Sequence, residues 1–454
     1  MSGMPSGAAN TKLWTRVQIR HLLILVPLVL VSIEATRPIR DNSFLWHVRA
    51  GAEQLAGGEV LTADPFSFTL FGESWRTQSW LVELGYGWME SRFGGLGFVP
   101  LMLAAVVTLT YAFAALAIYR ETKSPHTVAV WTIVLAWLSV SAFAPRPVVF
   151  SFLFLALAVV IARTPAVWWM VAPLLWIWAA SHGSWVIGVG LLILESIRQR
   201  SSRLAQMTAV GVLLATFTAH GLGVWQVLYE FLANRGALDL IQEWQPPGFS
   251  DVLYFPYLIV IGGVILAAAR GKLTPRDLIV VVPFLLFGLT SRRAVYPAAI
   301  VVIPFASLAW IPAVKSKASP RIVVWTVLLA LTALFILPLV MRPAQIDEDM
   351  FPTDEAIAVL ADRTVFQSDA VGGYRIWRDW PSELVFLDDR AELYGEIFIS
   401  RYLDAVAGDY GDLFAEYEID AVLGSTDWPL VRVLGRDGWE EAYRDDHFVV
   451  LLAR

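Results

Sequence analysis

Apolar runs separated by short polar joints fill the chain as far as residue 340, and mixed, charged sequence follows. The runs lie at 21–36, 97–119, 127–143, 147–162, 165–181, 183–197, 204–220, 253–269, 277–290, 294–313 and 322–340, which predicts about eleven membrane-spanning helices. Several are short for a hydrocarbon layer about 30 Å thick and predict tilted or kinked spans. After residue 350 the pattern changes. Residues 353–361 read as a helix capped by Thr353, 364–368 and 384–388 as strands, 391–406 as a helix, and 420–424 and 447–452 as apolar β-like runs. Strand alternating with helix predicts a small α/β layer. The expected fold is a polytopic α-helical membrane protein with a small extracytoplasmic α/β domain: a tail at 1–20, a membrane domain at 21–340 with a first outer loop at 37–96, and the α/β domain at 350–454.

Composition agrees with the membrane as solvent. Of 454 residues, 57% are hydrophobic and 16% charged, too few charges for a soluble globule. Lys12, Arg16 and Arg20 precede the first run, which reads as a signal anchor, since Ile33 and Ala35 make a poor cleavage site. With Arg120, Lys123, Arg163, Arg198, Arg200, Arg203, Arg270, Lys272, Arg276, Lys315, Lys317 and Arg321 they form alternate basic joints. By the positive-inside rule these are cytoplasmic, so the N-terminus is inside and everything after Met341 outside. Acids concentrate after Asp347 and the net charge is -6, which argues against a nucleic-acid partner. The chain has no cysteine, so disulfides, zinc-thiolate sites and thiol nucleophiles are excluded. Its 20 Trp and 13 Tyr suit interfacial belts.

The candidate chemistry collects in the joints predicted to be outside. Phe44, Val48, Ala52 and Leu55 share a helical stripe that Gly57-Gly58 ends, which predicts a helix lying in the interface. Asp41 stands just before it, as an N-cap, a proton-transfer group or both. Asp64 forms a turn with Pro65 or contacts substrate, and Trp75 and Trp80 are expected to anchor the loop in the interface. Arg146 and His182 stand at hairpin corners, where the plain readings are a snorkelling arginine and a solvated histidine. Arg292 and Arg293 at an outer helix end run against the charge rule and call for an anion, a phosphate or a carboxylate from the loops. Asp388-Asp389-Arg390 reads as a solvated strand end.

An aspartate after the first span, D-x4-WH-x-R-x-G from Asp41, DPFSFT from Asp64, the ARP and HG corners, the Arg292-Arg293 pair and GGYRIW…FLDDRAELYG together carry a resemblance. The chain resembles bacterial members of the GT-C glycosyltransferase superfamily, in particular the branch grouped with lipopolysaccharide-core and dolichyl-phosphate-mannose-type transferases. The resemblance implies a plasma-membrane enzyme that moves a sugar from a polyprenyl phosphate to an extracytoplasmic glycan, lipid or protein acceptor. The catalytic carboxylate of such enzymes maps onto Asp41, here followed by Asn42 where an acidic pair is usual. Asp41 would be the general base, with His47 and His182 orienting groups, Arg146, Arg292 and Arg293 on the phosphate, and Asp64 among the substrate contacts. The resemblance fixes no cofactor and leaves a divalent cation open. Two other classes stay open: a multi-span transporter of lipid-linked glycan or small solute, and a non-catalytic membrane scaffold or sensor.

Overall fold

The computed structural model of the protein describes residues 38–140, 142–226, 229, 242–310 and 344–454. The tail at 1–20 and the predicted spans at 21–36 and 322–340 lie outside the described residues.

The first loop begins with helix α1 (Asn42–Gly57). Asp41 accepts the Phe44 backbone N–H at 2.9 Å, and Gly58 closes the helix in the left-handed region at φ 71°. Only half of the expected stripe is buried: Phe44 and Val48 are inside, whereas Leu55 is exposed. The reason is that α1 is not a free interfacial helix. It is pressed between helix α2 (Trp80–Phe93) and the C-terminal domain. A Cβ on Gly51 would stand 1.8 Å from the Glu83 carbonyl oxygen, so α1 and α2 cross backbone against backbone.

The predicted spans from 97–119 through 294–313 fall on helices α3 (Val99–Thr122), α4 (Pro125–Ser139), α5 (Val148–Ala162), α6 (Val171–Ser181), α7 (Trp185–Gln199), α8 (Ser202–Ala215), α9 (Pro256–Ala269), α10 (Leu278–Thr290) and α11 (Arg292–Ala306). Their positions agree with the pattern; their lengths do not. Among the described residues only Leu96–Thr122 and Arg292–Ala309, each counted with its flanking short turn, are long and apolar enough to cross a membrane alone. A 15-residue helix such as α5 is about 22 Å long, short of the hydrocarbon thickness. The breaks have local causes. Ser124 and Ser201 cap new starts by accepting from Thr127 and Leu204, and a 3-10 segment at Pro165–Met170, irregular at Val167, cuts the 165–181 run in two.

Inside the bundle, Tyr111 and Ser139 share a hydrogen bond at 2.6 Å, Trp178 donates to Ser151 at 3.0 Å, and Phe152 meets Tyr296 edge-on at 4.9 Å. Outside, Leu213, Phe217, Leu222, Ile265 and Leu286 are all more than half exposed. An apolar exterior over a packed interior fits lipid as the surrounding medium.

At one end of the bundle Arg163 and Arg198 enclose the buried Glu195, at 3.2 and 2.7 Å, and Arg198 also reaches Asp277 at 3.1 Å. The joints at Arg163, at Arg198 and before Asp277 therefore meet there, with more acids than the pattern suggested. Arg146, His182 and Arg292 stand at the other ends of these same helices.

The C-terminal domain begins with helix α12 (Asp354–Ala358), capped by Thr353 accepting from Ala356 as expected. Strands β1 (Val365–Gln367), β2 (Ala421–Ser425), β3 (Glu440–Arg444) and β4 (Phe448–Leu452) form one sheet of order β1-β2-β4-β3. β1 and β2 are parallel, and the other pairs antiparallel. Helices α13 (Asp369–Asp379), α14 (Ala391–Ala407), α15 (Gly411–Glu416) and α16 (Pro429–Arg436) complete the layer. The expected strand at 384–388 is not part of this sheet. Val385 instead exchanges backbone hydrogen bonds with Phe66 and Phe68 of the first loop, both at 3.0 Å.

That exchange is one of several seams joining the domain to the loop. At the second, Ile39 pairs with the 345–347 segment, and Arg40 meets Asp347. At the third, α13 crosses the start of α1, where Asn42 accepts from the Tyr374 N–H at 3.1 Å and donates to the Asp369 carbonyl at 2.7 Å. A Cβ on Gly373 would lie 2.3 Å from the Asn42 carbonyl oxygen, which is why this crossing uses the Gly-Gly of GGYRIW.

Candidate active site

Asp41 and Arg146 meet directly. Arg146 Nε donates to both oxygens of Asp41, at 2.9 Å to Oδ1 and 2.7 Å to Oδ2. Burial opposes the charge of Arg146, but Asp41, Asp389 and Glu243 around it hold its pKa above the usual value. The arginine is thus a hub for three carboxyls rather than a snorkelling side chain. Asp41 is helix cap and ion-pair partner at once.

Glu243 links the next pair of cations. Arg293 Nε donates to Glu243 Oε2 at 2.6 Å, and Arg146 Nη1 lies 3.9 Å from the same oxygen. Burial raises the Glu243 pKa, but Arg293 and Arg146 outweigh it and keep the carboxyl below its ordinary value. A loop carboxylate therefore offsets Arg293. Arg292 is different: its guanidinium stands 5.9 Å from the Tyr254 ring centroid, and its buried Nε has no hydrogen-bond partner among the described residues.

The two histidines stand close to each other. His47 Nδ1 bonds Glu83 Oε1 at 2.7 Å, and a carboxylate there can only accept, so Nδ1 carries a proton and Nε2 faces away. Glu83 is fully buried and also accepts from Gln54 and Thr77. His182 Nδ1 accepts the Ser184 backbone N–H at 3.1 Å, which places the neutral ring's proton on Nε2. Burial pushes the His182 pKa down to about 3, with the charges of His47 and Arg293 adding to the shift. His182 is a neutral N–H donor at the same end of the bundle.

The third carboxyl comes from the C-terminal domain. Asp389 accepts from Trp46 Nε1 at 2.8 Å and from Ser43 Oγ, both on α1. Burial lifts its pKa to about 7 against the pull of Arg146, with Asp388 and Asp41 adding to the rise. The expected solvated strand end is in fact split between two jobs. Asp389 turns to the site, whereas Asp388 and Arg390 turn inward to Asp64. Arg390 Nη2 reaches Asp64 at 2.8 Å and Asp388 at 2.6 Å, all three excluded from solvent. Trp75, its ring 4.5 Å from the Arg390 guanidinium, is buried there too and is not an interfacial anchor.

The structure thus gathers Asp41, His47, Arg146, His182 and Arg293, with Arg292 beside them, and sets Asp64 apart in a buried structural tie. Sequence reasoning missed Glu83, Glu243 and Asp389 as participants. The named positions of D-x4-WH-x-R-x-G all make specific contacts, with Trp46 on Asp389, His47 on Glu83, Arg49 donating to the Trp377 carbonyl at 2.7 Å, and Gly51 at the α2 crossing.

Among the described residues no group of three His, Cys, Asp or Glu side chains could hold a metal ion. Asp41 and Glu243 are both paired with guanidiniums. A separate hollow of about 210 Å³ in the C-terminal domain is bordered by Asp354, Arg375, Arg378 and Asp379, whose charges largely pair with one another.

No protein-family model matches the chain, and no curated protein matches it. Among solved structures it is similar to a crystal structure of ArnT from Cupriavidus metallidurans in the apo state. The identity is 13% and the TM-score 0.48, over 95% of this chain and 97% of that one. At that score the likeness assigns neither a family nor an activity.

Proposed function

We propose that this chain is a plasma-membrane glycosyltransferase that moves a sugar from a polyprenyl-phosphate donor to an acceptor hydroxyl outside the cytoplasm. The observation that carries the reading is the Asp41–Arg146 pair. Residues from the first loop and from two hairpin corners meet at the end of the bundle opposite the basic joints, in a chain whose sequence resembles GT-C transferases. A carboxylate beside guanidiniums and a neutral N–H donor suits a reaction in which a hydroxyl loses a proton as a phosphate departs.

The reaction needs one displacement. The acceptor O–H bond breaks and its proton goes to a carboxylate; the oxygen pair forms a bond to the anomeric carbon. The carbon–oxygen bond to phosphate breaks with its electrons on oxygen, giving polyprenyl phosphate and inversion at the anomeric carbon. In the simplest form Asp41 takes the proton. Arg293 and Arg292 would offset the charge gained by the phosphate, and His182 Nε2–H would add a hydrogen bond without adding charge.

The test is transfer in proteoliposomes, with radiolabelled undecaprenyl-phosphate glucose, galactose and mannose supplied against an envelope glycan and lipid extract. Wild type is expected to move label from the prenyl phosphate to the acceptor fraction with at least one donor. If label stays on the donors, the reading is wrong.

A further inference from the structure

We infer that Asp389, delivered by the C-terminal domain, is the proton acceptor of the reaction, and that Asp41 serves to hold Arg146. The inference rests on the transferase reading above.

The two carboxyls differ in what surrounds them. Both oxygens of Asp41 accept from Arg146 Nε, and Oδ1 also accepts from the Phe44 backbone. A proton placed there would break the ion pair with Arg146. Asp389 accepts instead from two neutral donors, Ser43 and Trp46, which hold its orientation while leaving it basic. Asp389 keeps partial exposure to solvent, unlike its neighbours Asp388 and Arg390. Its pKa near 7 matches a general base working at neutral pH, where the carboxylate is populated and its affinity for a proton is high.

The step balances. The acceptor hydroxyl gives its proton to the Asp389 carboxylate, its oxygen pair bonds the anomeric carbon, and the prenyl phosphate leaves as a dianion. One negative charge passes from Asp389 to the phosphate. Arg146 lies close enough to both Asp41 and Asp389 to act on their charges, so loss of the Asp389 charge leaves the Asp41–Arg146 pair intact.

The experiment is the pH–rate profile of transfer by wild type, Asp389→Asn and Asp41→Asn, with the melting temperature of each in detergent. The side-chain amide oxygen introduced by Asp389→Asn can still accept from Trp46, so the fold is expected to survive. Wild-type rate should rise through about pH 7, Asp389→Asn should lose about 100-fold or more and lose that rise, and Asp41→Asn should be slower with the rise kept. If Asp389→Asn keeps the wild-type profile while wild type transfers sugar, the inference fails and the transferase reading stands. If Asp41→Asn alone abolishes the rise, Asp41 is the base. If wild type transfers nothing, the reading fails and the inference with it.

Discussion

Arg390 donates to Asp64 at 2.8 Å with both side chains fully excluded from solvent. One belongs to the C-terminal domain and the other to the first loop, and Asp388 closes the triad. Trp46, Phe66 and Trp75 surround the guanidinium at 4.5 to 5.7 Å. The next residue back from Arg390 is Asp389, so this tie sets where a carboxyl enters the site.

Replacing Arg390 tests that tie. Arg390→Ala leaves two carboxylates buried without their cation, which costs about 3–5 kcal/mol. Arg390→Lys keeps the charge but not the paired donors and should fall between. Melting in detergent and protease nicking of the C-terminal domain report the loss. An Arg390→Ala protein as stable and protease-resistant as wild type would show that the domain is held elsewhere.

The α1–α2 crossing offers a second test, through backbone rather than charge. A Cβ on Gly51 would collide with the Glu83 carbonyl, and one on Gly87 would come within 2.4 Å of the Ala52 nitrogen. Gly51→Ala is expected to cost about 1–3 kcal/mol as the helices move apart. The same movement stretches the 2.7 Å contact between His47 and Glu83. Transfer should therefore fall together with the melting temperature, whereas Gly85→Ala, with open space around its Cβ position, should change neither.

What could be read from the sequence was what local pattern reports. Asp41 as cap, Gly58 as stop, Thr353 as cap, and the positions of helices α3 to α11 all follow from periodicity and punctuation. The shared end for Arg146, His182 and Arg293 followed from counting helices. What could not be read depends on distant segments meeting. Asp389 is an acid in a charged run until Ser43 and Trp46 reach it, and Glu83 is one polar residue on a mostly apolar helix until His47 packs against it. The 384–388 run has the composition of a strand, but its partners lie in the first loop. β3 has an almost wholly exposed pattern and so carries no apolar alternation.

The two roles of Asp41 can be separated by substitution. Asp41→Asn retains an oxygen for the Phe44 N–H but loses the charge opposite Arg146; Asp41→Ala loses both. The cap alone is worth about 1 kcal/mol. Transfer should drop by up to about 100-fold in both proteins as Arg146 loses the partner that places it, and only the alanine protein should also show weakened α1. Hydrogen exchange at the Phe44 and Leu45 amides separates them. Equal protection in both would mean that the cap does not depend on this side chain.

Sidedness is the last requirement, because a site for extracytoplasmic acceptors must face outward. The absence of native cysteine makes single substitutions clean reporters. Ser382 is exposed on the C-terminal domain, and Lys272 is exposed in the joint between α9 and α10, at the opposite end of the bundle. In spheroplasts, a maleimide that cannot cross the membrane is expected to label Ser382→Cys and to leave Lys272→Cys unlabelled until the cells are lysed. The charge rule and the bundle geometry make the same prediction, since the joint with Arg270, Lys272 and Arg276 belongs to the basic set. Labelling of Lys272→Cys before lysis, with Ser382→Cys protected, would turn Asp41, Arg146 and Asp389 toward the cytoplasm. A donor and acceptor on that side would then be required, and the outward-facing transferase would be excluded.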